Sequence, residues 1–196
     1  MIDFDNLKQI FPFLNELDAT DLFDFLKHTR LSKLNAGDNF LMAGSLKSNV
    51  YFVKQGLIRS FYIDDKGDEI TNLLRYENQV FASYEIIFLY QPSSFTFQAL
   101  EPTELLVIDL NKLRQIIDSK AKLESGRRFF INTILSECLR ALDDFILLNP
   151  EKRYLKFVKE NPELLNRVPV KYIANVLGIT PVSLSRIRKR IATKKQ

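Results

Sequence analysis

Between Ser32 and Leu110 the apolar residues recur every second position, and turn residues break the pattern at short intervals. A period of two is that of a strand with one buried face, and repeated breaks keep each strand short. Strands are expected at Phe40–Met42, Val50–Lys54, Leu57–Tyr62, Glu69–Arg75, Ser94–Leu100 and Glu104–Asp109. The breaks fall at Ala36-Gly37-Asp38, Gly44-Ser45, Gln55-Gly56, Asp64 to Asp68 and Glu101-Pro102. Gly67 within that acidic turn, between Ile63 and Ile70, signals a hairpin. Many short strands at this spacing make an antiparallel barrel or jelly roll. Tyr84–Leu89 interrupts them with about one helical turn.

Helical periods flank this stretch. Leu7, Ile10, Phe11 and Leu14 form one apolar stripe. Asp18 is placed to cap a helix from Ala19 to Lys27, with Asp21 in its first turn. Leu22, Phe23, Phe25 and Leu26 belong to the core face of that helix. His28 at its end has no visible partner for ligation or base chemistry. Leu110 to Asp118 reads as helix capped by Asp109. A long helix then runs from Lys122 to Leu148. In it Ile131, Leu135, Cys138, Leu142 and Phe145 recur in steps of four, three, four and three, the spacing of a coiled-coil seam. Phe130, Ile134, Leu139 and Ile146 widen the stripe. The alternative is a helix buried wholly within its own chain; the seam reading, a dimer contact, is favoured. Cys138 within a seam packs rather than reacts.

Asn149-Pro150 ends the long helix, and Tyr154, Leu155, Phe157 and Val158 mark another up to Asn161-Pro162. The last stretch, Val170 to Ile191, reads as two short helices around a tight turn. Val170, Ile173, Ala174 and Leu177 give the first a buried face, and Gly178 ends it. Thr180 is an N-cap and Pro181 suits the first turn. Leu184, Ile187 and Ile191 are the inner face of the second helix; Ser183, Ser185, Arg186, Arg188, Lys189 and Arg190 face outward. This is a helix-turn-helix pattern, whose second helix enters the DNA major groove. The alternative is a helical hairpin with a solvated basic face.

Charge bears on that choice. Residues 151–196 hold 12 Lys and Arg against 3 Asp and Glu, whereas residues 1–150 hold 16 against 21. A basic segment coinciding with the helix-turn-helix is the electrostatic footprint of a phosphate-backbone binder. The apolar fraction of 46% and charged fraction of 27% are those of a soluble globular protein. No run of eighteen apolar residues and no secretory signal appear, so the expected location is cytoplasmic and no membrane partner is expected. One cysteine and one histidine exclude an internal disulfide and a cysteine-rich metal site. No cofactor and no metal are expected.

The order of parts resembles the Crp/Fnr family of bacterial transcription regulators. The resemblance is carried by LNAGDNFLMAGSLKSNVYFVKQGLIRSFYIDDKGDE, PSSFTFQALEPTELLVIDL and IANVLGITPVSLSRIRKRI, and covers nearly the whole chain. It implies an α+β fold: an antiparallel, jelly-roll-like β-roll with flanking helices (residues 1–118), a dimerisation helix (119–148) and a helix-turn-helix domain (149–196). The chain stops at Gln196, so the domain is expected to lack a full β-hairpin wing. The family's nucleotide-binding members carry Phe-Gly-Glu for the ribose and Arg-Ser-Ala for the phosphate; here stand Phe81-Ala82-Ser83 and Ser93-Ser94-Phe95. Ser93 takes the arginine's place, which removes a bidentate, charge-assisted contact. Losing it leaves a buried phosphate unpaired, at a cost of about 3–5 kcal/mol. Glu85 could replace the ribose-binding glutamate only in a loop one or two residues longer. By an ungapped count, Cys138 and Leu139 replace the hydroxyls for the base. Cyclic AMP is therefore not the expected effector, and Ser83, Tyr84, Glu85, Ser93 and Ser94 are a candidate pocket for another ligand, or for none. An iron–sulfur cluster or haem lacks the ligands it would need.

At the DNA end, Pro181 and Val182 stand where members carry base-reading polar residues. Arg186 keeps an arginine suited to guanine O6 and N7. Lys171 matches a phosphate-contacting position; Arg188, Lys189 and Arg190 suit phosphates or solvent, and Ser183 and Ser185 either kind of contact. Thr180 caps the reading helix. The expected function is a homodimeric regulator on a near-palindromic duplex site. Its expected partners are double-stranded DNA, a second copy and an unknown small-molecule effector, with RNA polymerase a candidate. The alternative is a ligand-binding or interaction module that kept the fold and lost sequence-specific reading. An enzyme is not expected, because no catalytic motif is present.

Overall fold

The computed structural model describes residues 8–16, 18, 20, 23, 27–112 and 124–194. Eight strands occur among them: β1 (Thr29–Leu34), β2 (Asn39–Leu41), β3 (Asn49–Gln55), β4 (Ile58–Ile63), β5 (Glu69–Arg75), β6 (Val80–Ala82), β7 (Thr96–Ala99) and β8 (Thr103–Asp109). They form two antiparallel sheets, ordered β1-β8-β3-β6 and β2-β7-β4-β5. The expected jelly-roll-like architecture is the one observed. Each expected strand is present, β5 with the expected bounds and the others shifted by one or two residues. β1 and β6 were not foreseen as strands of their own. Both are edge strands: β1 carries Arg30 and Lys33, as edges often do, and β6 is only three residues long.

The central strand β3 is buried from Val50 to Val53 without alternation, because both its faces are covered. One face joins the two sheets through rings: Tyr51 lies 5.3 Å from Phe40 and stacks 5.1 Å from Phe81, which stacks 5.7 Å from Phe97. The other face carries Val50 and Phe52 into a cluster with Phe11, Leu14, Leu106, Ile108 and Leu110. The pairs Val50↔Ile108 and Phe52↔Leu106 fix this register. Between β3 and β4, Gly56 has φ +99, and a Cβ there would meet Thr103 Oγ1 at 2.4 Å and Pro102 O at 2.7 Å.

The β4–β5 hairpin turns as expected, with Asp64 Oδ1 accepting from the backbone N–H groups of Lys66 and Asp68, each at 2.9 Å. The expected turn after Tyr84 is a π-helical one, Glu85–Leu89, closed by Tyr90 at φ 54. Asp109 Oδ1 accepts from Asn111 N at 2.9 Å, the cap expected there; residues 113–118 of that helix lie outside the described residues. Most of the expected helix at 19–27 also lies outside them, and Phe23, assigned to its core face, is instead 66% exposed.

Helix α1 spans Glu124–Leu147, followed by α2 (Pro150–Glu160), α3 (Leu164–Arg167), α4 (Val170–Val176) and α5 (Pro181–Lys194). Asn149 caps α2 by accepting from Lys152 N at 3.0 Å, with Pro150 at its first position. Tyr154, Leu164, Val168, Ile173, Ala174, Leu177, Leu184 and Ile187 are the buried apolar residues of these four short helices. The chain divides into two compact units, Met1–Ile58 with Arg75–Glu137, and Arg59–Leu74 with Cys138–Gln196. No helix among the described residues is long and apolar enough to cross a membrane.

Candidate functional site

The turn between α4 and α5 is built as its residues dictate. Gly178 adopts φ +65 and donates to Asn175 O at 2.8 Å, ending α4. Thr180 Oγ1 accepts from Ser183 N at 3.1 Å and donates to Ser183 Oγ at 3.0 Å, so these two hydroxyls hold the start of α5. Pro181 is the first residue of that helix. With Leu184 and Ile187 buried, the opposite face presents Val182, Ser185, Arg186 and Lys189, all exposed, at positions i, i+3, i+4 and i+7. Arg186, Arg188 and Lys189 have no acidic partner among the described residues. Arg190 does: it forms an ion pair with Glu151 at the start of α2. Lys171 Nζ lies 3.8 Å from Asp68 on the hairpin.

The hairpin and α4 share further contacts that the sequence did not reveal. Arg59 is 2% exposed, its guanidinium 4.1 Å from the centre of the Phe61 ring and 4.2 Å from that of Tyr172. It also forms an ion pair with Glu69 and a 3.4 Å hydrogen bond to Thr71 Oγ1. Thr71 N, on the edge strand β5, donates to Asn175 Oδ1 at 3.3 Å. A helix side chain thus satisfies a ladder group of the sheet edge. Counting outward from the turn places Arg59 on one face with Glu69 and Thr71; that register was the available signal.

The candidate effector residues are brought together only in part. Glu85 is buried and accepts from Ser94 N at 2.7 Å, so its carboxylate ties the loop to itself. Ser93 Oγ donates to Phe95 O at 2.9 Å, while the Ser93 backbone joins Gly44 and Ser45. Ser83 Oγ is buried without a hydrogen-bond partner among the described residues, and Tyr84 is exposed beside Phe95. These five side chains carry one charge, a carboxylate, and no cation. Burial pushes the phenol of nearby Tyr51 above its ordinary pKa, against a hydrogen bond from Asn49 and the charge of Arg30.

On α1, Ile131 is 43% exposed, Leu135 53% and Leu142 54%, and Cys138 is exposed too. Phe145 is 50% exposed, but its ring also closes on the turn of the helix pair: a Cβ on Gly178 would meet Phe145 Cε1 at 2.6 Å. The Arg153 guanidinium sits 4.8 Å from the centre of that ring.

Residues 31–120 match the cyclic nucleotide-binding domain family. Among solved structures, the c-di-GMP responsive global regulator CLP of Xanthomonas campestris is 16% identical with a TM-score of 0.66, over 91% of this chain and 93% of that one. FixK2 of Bradyrhizobium japonicum is 18% identical with a TM-score of 0.69, over 85% and 86%. A chain described as a transcriptional regulator of the Crp/Fnr family from Eubacterium rectale is 18% identical with a TM-score of 0.72, over 95% and 88%. This chain has the Crp/Fnr fold. The first and third of these structures are described as regulators. No curated protein matches the sequence. In the loop between β6 and β7 the buried Glu85 carboxylate accepts from Ser94 N, and no Lys or Arg stands between Ser83 and Phe95.

Proposed function

We propose that this Crp/Fnr-type chain is a homodimeric, cytoplasmic DNA-binding transcription regulator, with α5 as the helix that enters the major groove. The observation that carries the reading is the exposed stripe Val182, Ser185, Arg186 and Lys189 on a helix locked at its start by Thr180 and Pro181. Arg186 is the base-reading candidate; Arg188, Lys189 and Lys171 are assigned to phosphates. Arg190, held by Glu151, serves the domain before the DNA. The exposed Ile131, Leu135 and Leu142 are the proposed dimer seam, since a row of apolar side chains on a helix calls for a partner. Two copies then place their reading helices about one helical turn apart on a near-palindromic site. The effector is not a cyclic nucleotide held in the usual manner, because Ser93 cannot pair with a phosphate charge.

Selection of duplex sites from a random pool tests the reading. The purified chain is expected to enrich a near-palindrome, and its affinity should fall steeply with salt. Arg186→Ala should relax one position in each half-site, at about 1–3 kcal/mol of discrimination. Salt-insensitive binding, or an unchanged site preference for Arg186→Ala, would refute it. A second reading, a module that kept the fold but not the reading, is favoured by Val182, an apolar residue 60% exposed in the middle of the reading stripe. Failure to enrich any duplex sequence selects that reading.

A further inference from the structure

A cavity of about 610 Å³ lies in the first unit, between the outer face of the β1-β8-β3-β6 sheet and the N-terminal half of α1. Val50, Val80, Ile87, Leu110, Phe130 and Ile134 give it an apolar wall. Its size and lining are those of a small-molecule site. Phe81, whose ring stacks between the two sheets on Tyr51 and Phe97, also contributes to the wall. Ser83, Glu85, Ser93 and Ser94, the loop residues considered above, do not line it.

Asn78, Gln79, Tyr90, Thr133 and Glu137 are the polar residues of the wall among the described residues, and Glu137 is engaged by Arg75 in an ion pair. Gln79 Oε1 accepts from Tyr76 N at 3.1 Å, which orients the side-chain NH2 as a donor. Thr133 adds a hydroxyl. No Lys, Arg or His lines the cavity among the described residues. A phosphate or carboxylate entering it would be desolvated beside the Glu137 carboxylate, with no lining cation among the described residues, which favours an uncharged ligand.

We propose that this cavity binds an uncharged, mainly apolar small molecule carrying one carbonyl or hydroxyl oxygen, which meets the Gln79 amide and the Thr133 hydroxyl. Ile131 of the exposed α1 face also lines it, so the same helix carries the site and the apolar row beside it. The inference draws no support from DNA binding. A chain that binds such a molecule but selects no duplex keeps the site and loses the regulator.

The test uses the full chain and two neutral fluorescent probes. Prodan is a naphthalene ketone; N-phenylnaphthylamine is similar in size and has no carbonyl. Both should bind saturably, one per chain, and cyclic AMP and cyclic di-GMP should displace neither. Ala82→Trp and Ile134→Trp, which fill the cavity, should weaken both probes at least tenfold. Gln79→Leu should weaken Prodan about fivefold and leave N-phenylnaphthylamine within twofold; this contrast decides the matter even where the tryptophan variants fail to fold. Absence of saturable binding, displacement by either nucleotide, or equal effects of Gln79→Leu on both probes would overturn the proposal. So would loss of Prodan binding as the protein concentration rises through self-association, which would give the cavity to a second copy.

Discussion

Substituting Gly178 by Ala tests how the end of α1 is joined to the reading motif. Two costs arise at one atom. The backbone stands at φ +65, a left-handed conformation that costs an alanine about 1 kcal/mol. The new Cβ would also lie 2.6 Å from Phe145 Cε1 and 3.3 Å from Cζ, so the ring must move. Moving it disturbs Arg153, whose guanidinium faces the ring while its Nε donates to Leu177 O at 3.2 Å and its Nη1 to Leu148 O at 2.7 Å. A half-exposed cation–π contact is worth about 0.5–1 kcal/mol, and a weakened hydrogen bond about as much again. Gly178→Ala should therefore cost about 2–3 kcal/mol in all, a large share of a margin of about 5–15 kcal/mol. The steric share is separable. In a Phe145→Ala background the new Cβ meets no ring, and the same substitution should cost only the backbone's ~1 kcal/mol. Urea unfolding followed by far-ultraviolet circular dichroism measures all four corners of the cycle. A cost below about 0.5 kcal/mol, or the same cost with and without the Phe145 ring, would refute the packing argument.

Gly56→Ala should be worse, at ~3 kcal/mol or more, because its Cβ would meet the backbone at Pro102 O and Thr103 Cα, each 2.7 Å away, at φ +99. Thermal unfolding with soluble yield as a second readout checks this, and a wild-type midpoint would contradict it. Glu104 receives hydrogen bonds from Lys54 at 2.6 Å and an ion pair from Lys33 at 3.1 Å, which hold its carboxyl below the usual glutamate range. Its folded pKa is the lower one, so its stabilisation is complete above the unfolded value of about 4.3 and is lost as pH falls through the folded one. Lys54→Met should raise the Glu104 pKa in a carboxyl-carbon NMR titration, and an unmoved titration would remove the assigned cause.

What the sequence made legible is what local chemistry decides. The period of two located the expected strands, and Gly178, Thr180 and Pro181 marked the helix boundaries. The rest depended on partners distant in sequence. Arg59 sits within a strand pattern that looks half-exposed; the hairpin register and Tyr172, 113 residues on, help to explain a buried guanidinium. Phe145 fitted the seam spacing and lies on its helix as expected, yet its ring also serves Gly178, a contact that heptad counting cannot see. β3 defeats alternation because helices cover the sheet face that a one-sided strand would expose to water. At the candidate pocket, too, residue type alone did not show that the Glu85 carboxylate accepts from Ser94 N.

The proposed reading face needs only a helix with its caps in place, and cations that stay free of intramolecular partners. Arg186, Arg188 and Lys189 meet that condition among the described residues, while Lys171 and Arg190 stand beside Asp68 and Glu151. A duplex that uses Lys171 must outcompete Asp68, an exposed pair at 3.8 Å that water and salt already weaken, worth at most about 1 kcal/mol. That margin is too small to hold the proposed DNA-binding motif shut by itself. Buried Arg59 with Tyr172, and Asn175 with Thr71, are the stronger ties between the hairpin and α4. Neither uses a residue assigned to DNA, so the hairpin can support the motif without blocking its reading face.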